Sequence, residues 1–157
     1  MISLRRTVHS DLKLLHAFEL DDDSNALAGT KPRDWCTFCA RWEPILADPD
    51  GIATGVTPRV ICADGVVVGS VNVSPEKGVD SIGYRIAREH WRRGIATVAV
   101  ALMLREFKRR PLFATAAGHN SPSIRVLEKN GFVITGRSMT PETTRTVTRE
   151  TVTLMLR

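Results

Sequence analysis

The order of elements along the chain predicts an α/β fold, one sheet with helices on both faces. Two β-rich runs flank Asp64-Gly65, a strong hairpin signal. Apolar residues at helical spacing occupy residues 9–20, 33–47 and 94–109, and turn formers separate them from short β-rich runs. The length of 157 residues suits a single domain over 1–157, because no repeat, linker or low-complexity tract divides it. A mixed order, β-α-α-β-β-β-α-β-α-β-β, excludes all-α and all-β architectures.

Residues 2–8 read as a short strand. Leu12, Leu15 and Phe18 give residues 9–20 a helical period, with Ser10 and Asp11 as caps. Asp21 to Asn25 reads as a polar break. A second helix over 33–47 stops at the turn Asp48-Pro49-Asp50-Gly51. Residues 58–64 and 66–74 form the hairpin, and 79–87 a third strand after it. Gly94 opens the longest apolar helix, which runs to Arg109 and is stopped by Pro111. Residues 112–116 form a strand and 121–130 a short helix closed by Gly131. Runs 133–139 and 146–156 complete the sheet.

Composition narrows the function classes. No apolar run reaches the roughly 18 residues of a membrane span, and the start MISLRRTVHSDLK lacks a signal peptide's apolar stretch. The expectation is a soluble, cytoplasmic protein with no membrane partner. Cysteines 36, 39 and 62 make no disulfide framework, and the C-x-x-C pair lacks a second ligand pair for zinc. Cys36 and Cys39 are expected as buried helix residues, and no metal is expected. Residues 1–50 hold 6 basic and 9 acidic side chains, whereas 81–157 hold 14 and 5. The basic set is 17 Arg to 5 Lys, and Arg suits bidentate phosphate binding. A basic half implies either a solvated face or an anionic ligand, a nucleic acid or a phosphorylated cofactor.

The segment Trp91-Arg92-Arg93-Gly94-Ile95-Ala96-Thr97 follows a strand and opens a helix. Amides at a helix start lack internal partners, and the macrodipole adds about half a positive charge there. Gly94 lets backbone approach a ligand, Ala96 keeps the surface small, and Arg92 and Arg93 add charge. Physically this is a pyrophosphate cradle. It matches neither nucleotide-hydrolysis nor dinucleotide fingerprints. The stretch from Asn120 to Phe132 is a helix with a clear start: Asn120 caps it, and Pro122 and Ser123 fall in the first turn.

These two stretches, about 25 residues apart, resemble the GCN5-related N-acetyltransferase (GNAT) family. That family's cofactor motif, Gln/Arg-x-x-Gly-x-Gly/Ala, reads here Trp91-Arg92-Arg93-Gly94-Ile95-Ala96, with Trp departing at the first place. Ile82-Gly83-Tyr84-x-Ile86 and Asn120-x-x-Ser123-x-x-Val126-Leu127-Glu128-Lys129-x-Gly131-Phe132 resemble the branch of ribosomal-protein N-terminal acetyltransferases and aminoglycoside 6'-type relatives. The resemblance is close over residues 60–135. It implies a central, mixed, mostly antiparallel seven-stranded sheet in which parallel strands 4 and 5 splay, with helices on both faces.

The resemblance also implies the chemistry. Acetyl-CoA would lie between residues 81–87 and 112–116, its pyrophosphate on the amides of Arg92, Arg93, Gly94, Ile95, Ala96 and Thr97. Its pantetheine arm would pair with backbone at Tyr84 and Ile86, with Asn120 and Ser123 on the other side. A backbone N–H of the strand would stabilise the oxyanion. The tyrosine that many members use as acid is Leu127 here, and Ser123 is the replacement found in the resembling branch. Ser123 is therefore the candidate acid, with a helix-start hydrogen bond as its alternative role. The branch's glutamate before Ile-Gly-Tyr is Ser81 here. Asp80 is adjacent, although strand alternation points it to the opposite face. His119 and the Asp21–Asp23 cluster are the other base candidates, with a water-mediated base, or none, as further options.

The function expected is acetyl transfer from acetyl-CoA to a primary amine, on a protein N-terminus or a small molecule, in a monomer or homodimer. A non-catalytic acyl-CoA-binding module on the same fold is the alternative. Nucleic acid is not expected as a partner, because aromatics are 6% of residues and Trp35, Phe38 and Trp42 fall in the acidic half. Helices 9–20 and 33–47, with the loop between them, should line the acceptor pocket, and Asp21, Asp22, Asp23, Asp34 and Glu43 suggest a cationic amine.

Overall fold

The computed structural model describes residues 1–157. Seven strands form one sheet: β1 (Ile2–Arg6), β2 (Thr57–Ala63), β3 (Val66–Glu76), β4 (Val79–Ile86), β5 (Leu112–Ala117), β6 (Val133–Thr140) and β7 (Arg149–Leu156). Their spatial order is β1-β2-β3-β4-β5-β7-β6, and β4 with β5 is the parallel pair. Five α-helices join them: α1 (Leu12–Glu19), α2 (Asp22–Ala28), α3 (Trp35–Leu46), α4 (Ile95–Glu106) and α5 (Ser121–Lys129).

Strand alternation divides the core between the two sheet faces. Ile61, Val71, Val73 and Ile82 face α4 and α5, packing with Ala99, Val100, Met103 and Leu127. Val60 and Cys62 face the other way, onto Leu12, Leu15, Phe38, Trp42 and Ile45 of α1 and α3. Each fully buried aliphatic side chain in these layers contributes about 1.5–3 kcal/mol. Gly69 of β3 sets how closely β3 and β4 approach: a Cβ there would stand 2.2 Å from the Arg85 carbonyl oxygen.

Several boundaries differ from the sequence reading. The polar break after residue 20 is helix α2. Asp21 caps it by accepting the Ser24 amide at 2.9 Å, and Gly29 ends it in the left-handed conformation at φ 66°. The acidic run was thus a helix start, with Asp22 and Asp23 in its first turn. The first strand ends at Arg6, since residues 9–11 form a 3-10 turn in which Asp11 accepts Val8 N–H at 2.8 Å and pairs with Arg5. Helix α4 stops at Glu106 and β7 begins at Arg149. Cys36 is exposed on α3 and Cys39 half-buried, because the buried stripe of that helix is Phe38, Trp42 and Ile45.

The sheet opens at its centre. β4 and β5 pair only at Asp80–Leu112 and Ser81–Phe113, and then diverge. Ala87 N–H donates to Val68 at 2.8 Å, and Ser70 stands opposite Arg85. The alternation of antiparallel pairing therefore turns the amides of Tyr84 and Ile86 away from β3, into the opening.

Candidate active site

The opening is the wall of a cleft of about 490 Å³ that runs from α4 to α5. At one end, Arg92 at φ 63° and Gly94 at φ 72° turn the chain sharply into α4. No amide from Arg92 to Thr97 has an acceptor within the protein, and no side chain caps the helix. Six N–H groups are therefore bare around one turn, a concave positive surface. Nothing lies within 4 Å of the place a Gly94 Cβ would occupy, so the space in front of the turn is open. Trp91 anchors this turn: its indole N–H donates to the Ile86 carbonyl at 2.8 Å, and its ring packs on the core.

At the inner end, β4 meets the start of α5. Asn120 caps α5 through Oδ1, which accepts the Ser123 amide at 3.3 Å. This leaves the Ser123 hydroxyl free of capping, and it lies 2.7 Å from the Tyr84 hydroxyl. Tyr84 O–H also stands 3.1 Å from the Ser123 carbonyl. Burial pushes the Tyr84 phenol up to about 12, against the smaller opposing effect of the Ser123 bond. The serine hydrogen is free to turn toward the cleft when Tyr84 is the donor, to Ser123 Oγ or to the Ser123 carbonyl.

Of the residues expected to hold a cofactor, Tyr84, Ile86, Arg92, Gly94, Ile95, Ala96, Thr97, Asn120 and Ser123 line the cleft. The Arg93 side chain does not line it, and its contribution is confined to the backbone amide. Ser24, Leu27 and Ala28 of α2 also line the cleft, a segment expected as a loop at the acceptor pocket rather than as a helix along this cleft. The Asp21-x-x-Ser24 spacing, a helix-start pattern, was the signal available.

The base candidates fare differently. Asp80 lies at the closed end of β4, outside the cleft, gripped by Arg109 at 2.6 and 3.1 Å. It therefore braces the start of the splayed pair and is remote from the opening. His119 is also outside the lining, with Nε2 3.1 Å from the Ala26 carbonyl, tying the β5–α5 turn to α2. Asp21 and Asp23 pair with Arg88 at 3.3 and 2.7 Å, and Asp34 caps α3. Leu127, at the place of the missing tyrosine, is 1% exposed and belongs to the core. No three His, Cys, Asp or Glu side chains gather as metal ligands.

Tyr84 and Arg85 are shared with a second cavity of about 280 Å³ on the α1–α3 side of the sheet. Gly83 lines this cavity without a side chain, and nothing lies within 4 Å of the place its Cβ would occupy. The site is a long cleft and a smaller chamber meeting at Tyr84.

Comparison with known proteins agrees with this architecture. Residues 2–133 match the family model of the acetyltransferase (GNAT) domain. A spermidine N-acetyltransferase from Vibrio cholerae, solved with CoA and spermine, superposes with TM-score 0.80 at 16% identity, covering 99% of this chain and 94% of that one. RimJ of Mycobacterium smegmatis, in complex with CoA-disulfide, gives 0.75 at 23%, covering 99% and 81%. Aminoglycoside acetyltransferase AAC(6')-Ib in complex with coenzyme A gives 0.77 at 18%, covering 99% and 94%. No curated protein sequence matches. No helix is long and apolar enough to cross a membrane. With the family model spanning most of the chain, and the splayed β4–β5 pair opening onto the bare turn before α4, the protein belongs to the GNAT acetyltransferase family.

Proposed function

We propose that the protein is an acetyl-CoA-dependent N-acetyltransferase that acetylates a primary amine by direct attack on the thioester. One observation carries the reading: a cleft with six bare amides at one end and the Tyr84–Ser123 hydroxyl pair at the other, joined there to a separate chamber. The residues present fit the cosubstrate. The open space at Gly94 and the amides of Arg92 to Thr97 suit a diphosphate, and the amides of Tyr84 and Ile86 suit an extended amide-bearing arm. Acetyl-CoA, when bound, supplies an activated acyl group and a thiolate leaving group.

The chain supplies the rest. The amine enters from the α1–α3 chamber, and its nitrogen forms a bond to the acyl carbon as the carbon–sulfur bond breaks. A β4 amide facing the opening stabilises charge on the acyl oxygen. The amine's lost proton passes to water in the chamber, since Glu19, the carboxylate lining it, is held by Arg33 at 2.9 Å. Ser123, oriented by Tyr84, donates to the departing sulfur. A phenol near 12 is a weaker acid than a thiol near 8.5, so Tyr84 keeps its hydrogen and holds Ser123, which passes a proton to the sulfur and regains one from cleft water. The acceptor is a small molecule or a protein N-terminus, the second supported by the resemblance to the ribosomal-protein branch.

Calorimetry tests the reading. Acetyl-CoA should bind with micromolar affinity, about −8 kcal/mol, and thiol should be released when amines are added. Absence of binding at millimolar acetyl-CoA overturns the reading. Binding without thiol release across a broad amine panel would favour a non-catalytic acyl-CoA module.

A further inference from the structure

The chamber behind Tyr84 has a charge opposite to the one the sequence suggested. Four arginines line it, Arg33, Arg41, Arg85 and Arg145, against one carboxylate, Glu19. None of Asp21, Asp22, Asp23, Asp34 or Glu43 lines it. Asp21 and Asp34 cap helix amides, Asp21 and Asp23 pair with Arg88, and Asp22 and Glu43 are exposed.

The four guanidinium groups are unequally engaged. Glu19 is spent on Arg33, accepting its amide at 2.7 Å and its side chain at 2.9 Å. Arg145 donates to the Lys31 carbonyl and stands 3.8 Å from Glu19. Arg41, at the mouth, and Arg85, on β4, make no side-chain hydrogen bond at all. The Nη1 of Arg85 is shut off from solvent and has no partner. A buried donor without an acceptor costs about 1–3 kcal/mol, and more when charged. Burial accordingly pushes the Arg85 guanidinium below its ordinary value. The position of Arg85 matters as much as its charge: it adjoins Tyr84 on β4 and lines both spaces.

The opposite walls of the chamber differ. Phe18, Phe38, Trp42 and Ile45 make an apolar side from α1 and α3. Ser70, Asn72 and Ser74 line it from β3. An occupant that satisfies this lining has an apolar body and an oxyanion, with its amino group directed to the junction.

From this lining we infer that the acetyl acceptor is a small amine carrying an anionic oxyacid group, a carboxylate or phosphonate, held by Arg85 and Arg41. This deepens the N-acetyltransferase reading and rests on it. A guanidinium–oxyacid contact at Arg85 and Arg41, the two lining arginines whose side chains have no acceptor within the protein, would set the distance from the anion to the attacking nitrogen. A polyamine would add positive charge to a chamber that already has an excess of it.

The experiment has two arms. In the first, the protein, with and without saturating CoA, is titrated by calorimetry with N-acetyl-L-phenylalanine and N-acetyl-L-phenylalaninamide. The acid should bind at least about tenfold more tightly, as expected for losing a hydrogen bond to a charged group, and Arg85→Gln should abolish the preference. In the second arm, thiol release is measured with L-phenylalanine, its α-aminophosphonic analogue, L-phenylalaninamide and spermidine. The acid-to-amide ratio of kcat/KM should fall at least about tenfold in Arg85→Gln, a comparison in which amine basicity cancels. Arg41→Gln is the second variant, should the first fail to fold. Equal binding of acid and amide, fastest turnover of spermidine, or an Arg85→Gln effect equal on all four amines overturns the inference. Acetyl-CoA binding and thiol release would persist in that event, leaving the acetyltransferase reading intact. Failure to bind acetyl-CoA instead removes that reading, while the CoA-free titration still decides whether the chamber prefers an anion.

Discussion

Replacing Tyr84 by Phe removes one oxygen and tests the hydroxyl pair at the inner end of the cleft. That oxygen makes two contacts, 2.7 Å to Ser123 Oγ and 3.1 Å to the Ser123 carbonyl. The aromatic ring remains packed on the core, so no cavity forms. Ser123 lies at the cleft and can take water in place of the phenol, which limits the stability loss to about 1 kcal/mol. For a chain of this length that lowers Tm by roughly 3 °C. The effect on turnover should be larger. Without Tyr84 the serine hydrogen is no longer directed to the sulfur, and kcat should fall about 10²-fold, roughly 2.7 kcal/mol of barrier. Acetyl-CoA affinity should stay within about twofold of the parent, because the diphosphate turn at α4 is untouched. Ser123→Ala should match the loss. The double variant should be no slower than the slower single one, since two groups in one relay are not additive. Thiol release at saturating acetyl-CoA, calorimetry and a melting curve measure all three quantities. An unimpaired kcat in Tyr84→Phe alongside the expected Tm loss would make the pair a structural contact and remove the relay.

Two further outcomes are expected. Gly94→Asp should weaken acetyl-CoA binding by about 10²-fold or more while the chain still folds, since open space surrounds that Cβ and the left-handed conformation costs an Asp only about 1–2 kcal/mol; unchanged calorimetric affinity would place the diphosphate elsewhere. Asp48 accepts the Thr54 hydroxyl at 2.6 Å and amide at 2.7 Å and the Ala53 amide at 3.3 Å, bonds that lower its carboxyl from 3.8 to about 2. Its folded value is depressed, so its contribution is present above about pH 4 and is lost as pH falls toward 2; chemical denaturation across that window should show a slope that Asp48→Asn reduces.

Much of this architecture was written locally. The Asp64-Gly65 hairpin, the alternation of β3 and the Gly94 helix start depend on neighbours within a few residues, and the structure has each of them. The turn from Arg92 to Thr97 was legible for the same reason, since bare amides there need only a strand, a glycine and a helix in sequence, whereas Tyr84 and Ile86 came from the family resemblance. Helix α2 was equally local and was passed over, because a run of three aspartates resembles a solvated loop until the Asp21–Ser24 cap is noticed.

Tertiary structure alone decided which charges face one another. Asp80 and Arg109, 29 residues apart, meet because β4 and β5 are neighbours, and their pairing takes Asp80 away from the chemistry. Tyr84 and Ser123, 39 residues apart, meet because the splay lets the start of α5 reach β4. Arg33, Arg41, Arg85 and Arg145 come from four separate stretches and converge behind the sheet, whereas Asp21, Asp22, Asp23, Asp34 and Glu43 all lie outside that chamber. Net charge along a segment follows from composition. The sign of the charge inside a chamber depends on which side chains point into it, and packing between distant elements determines that.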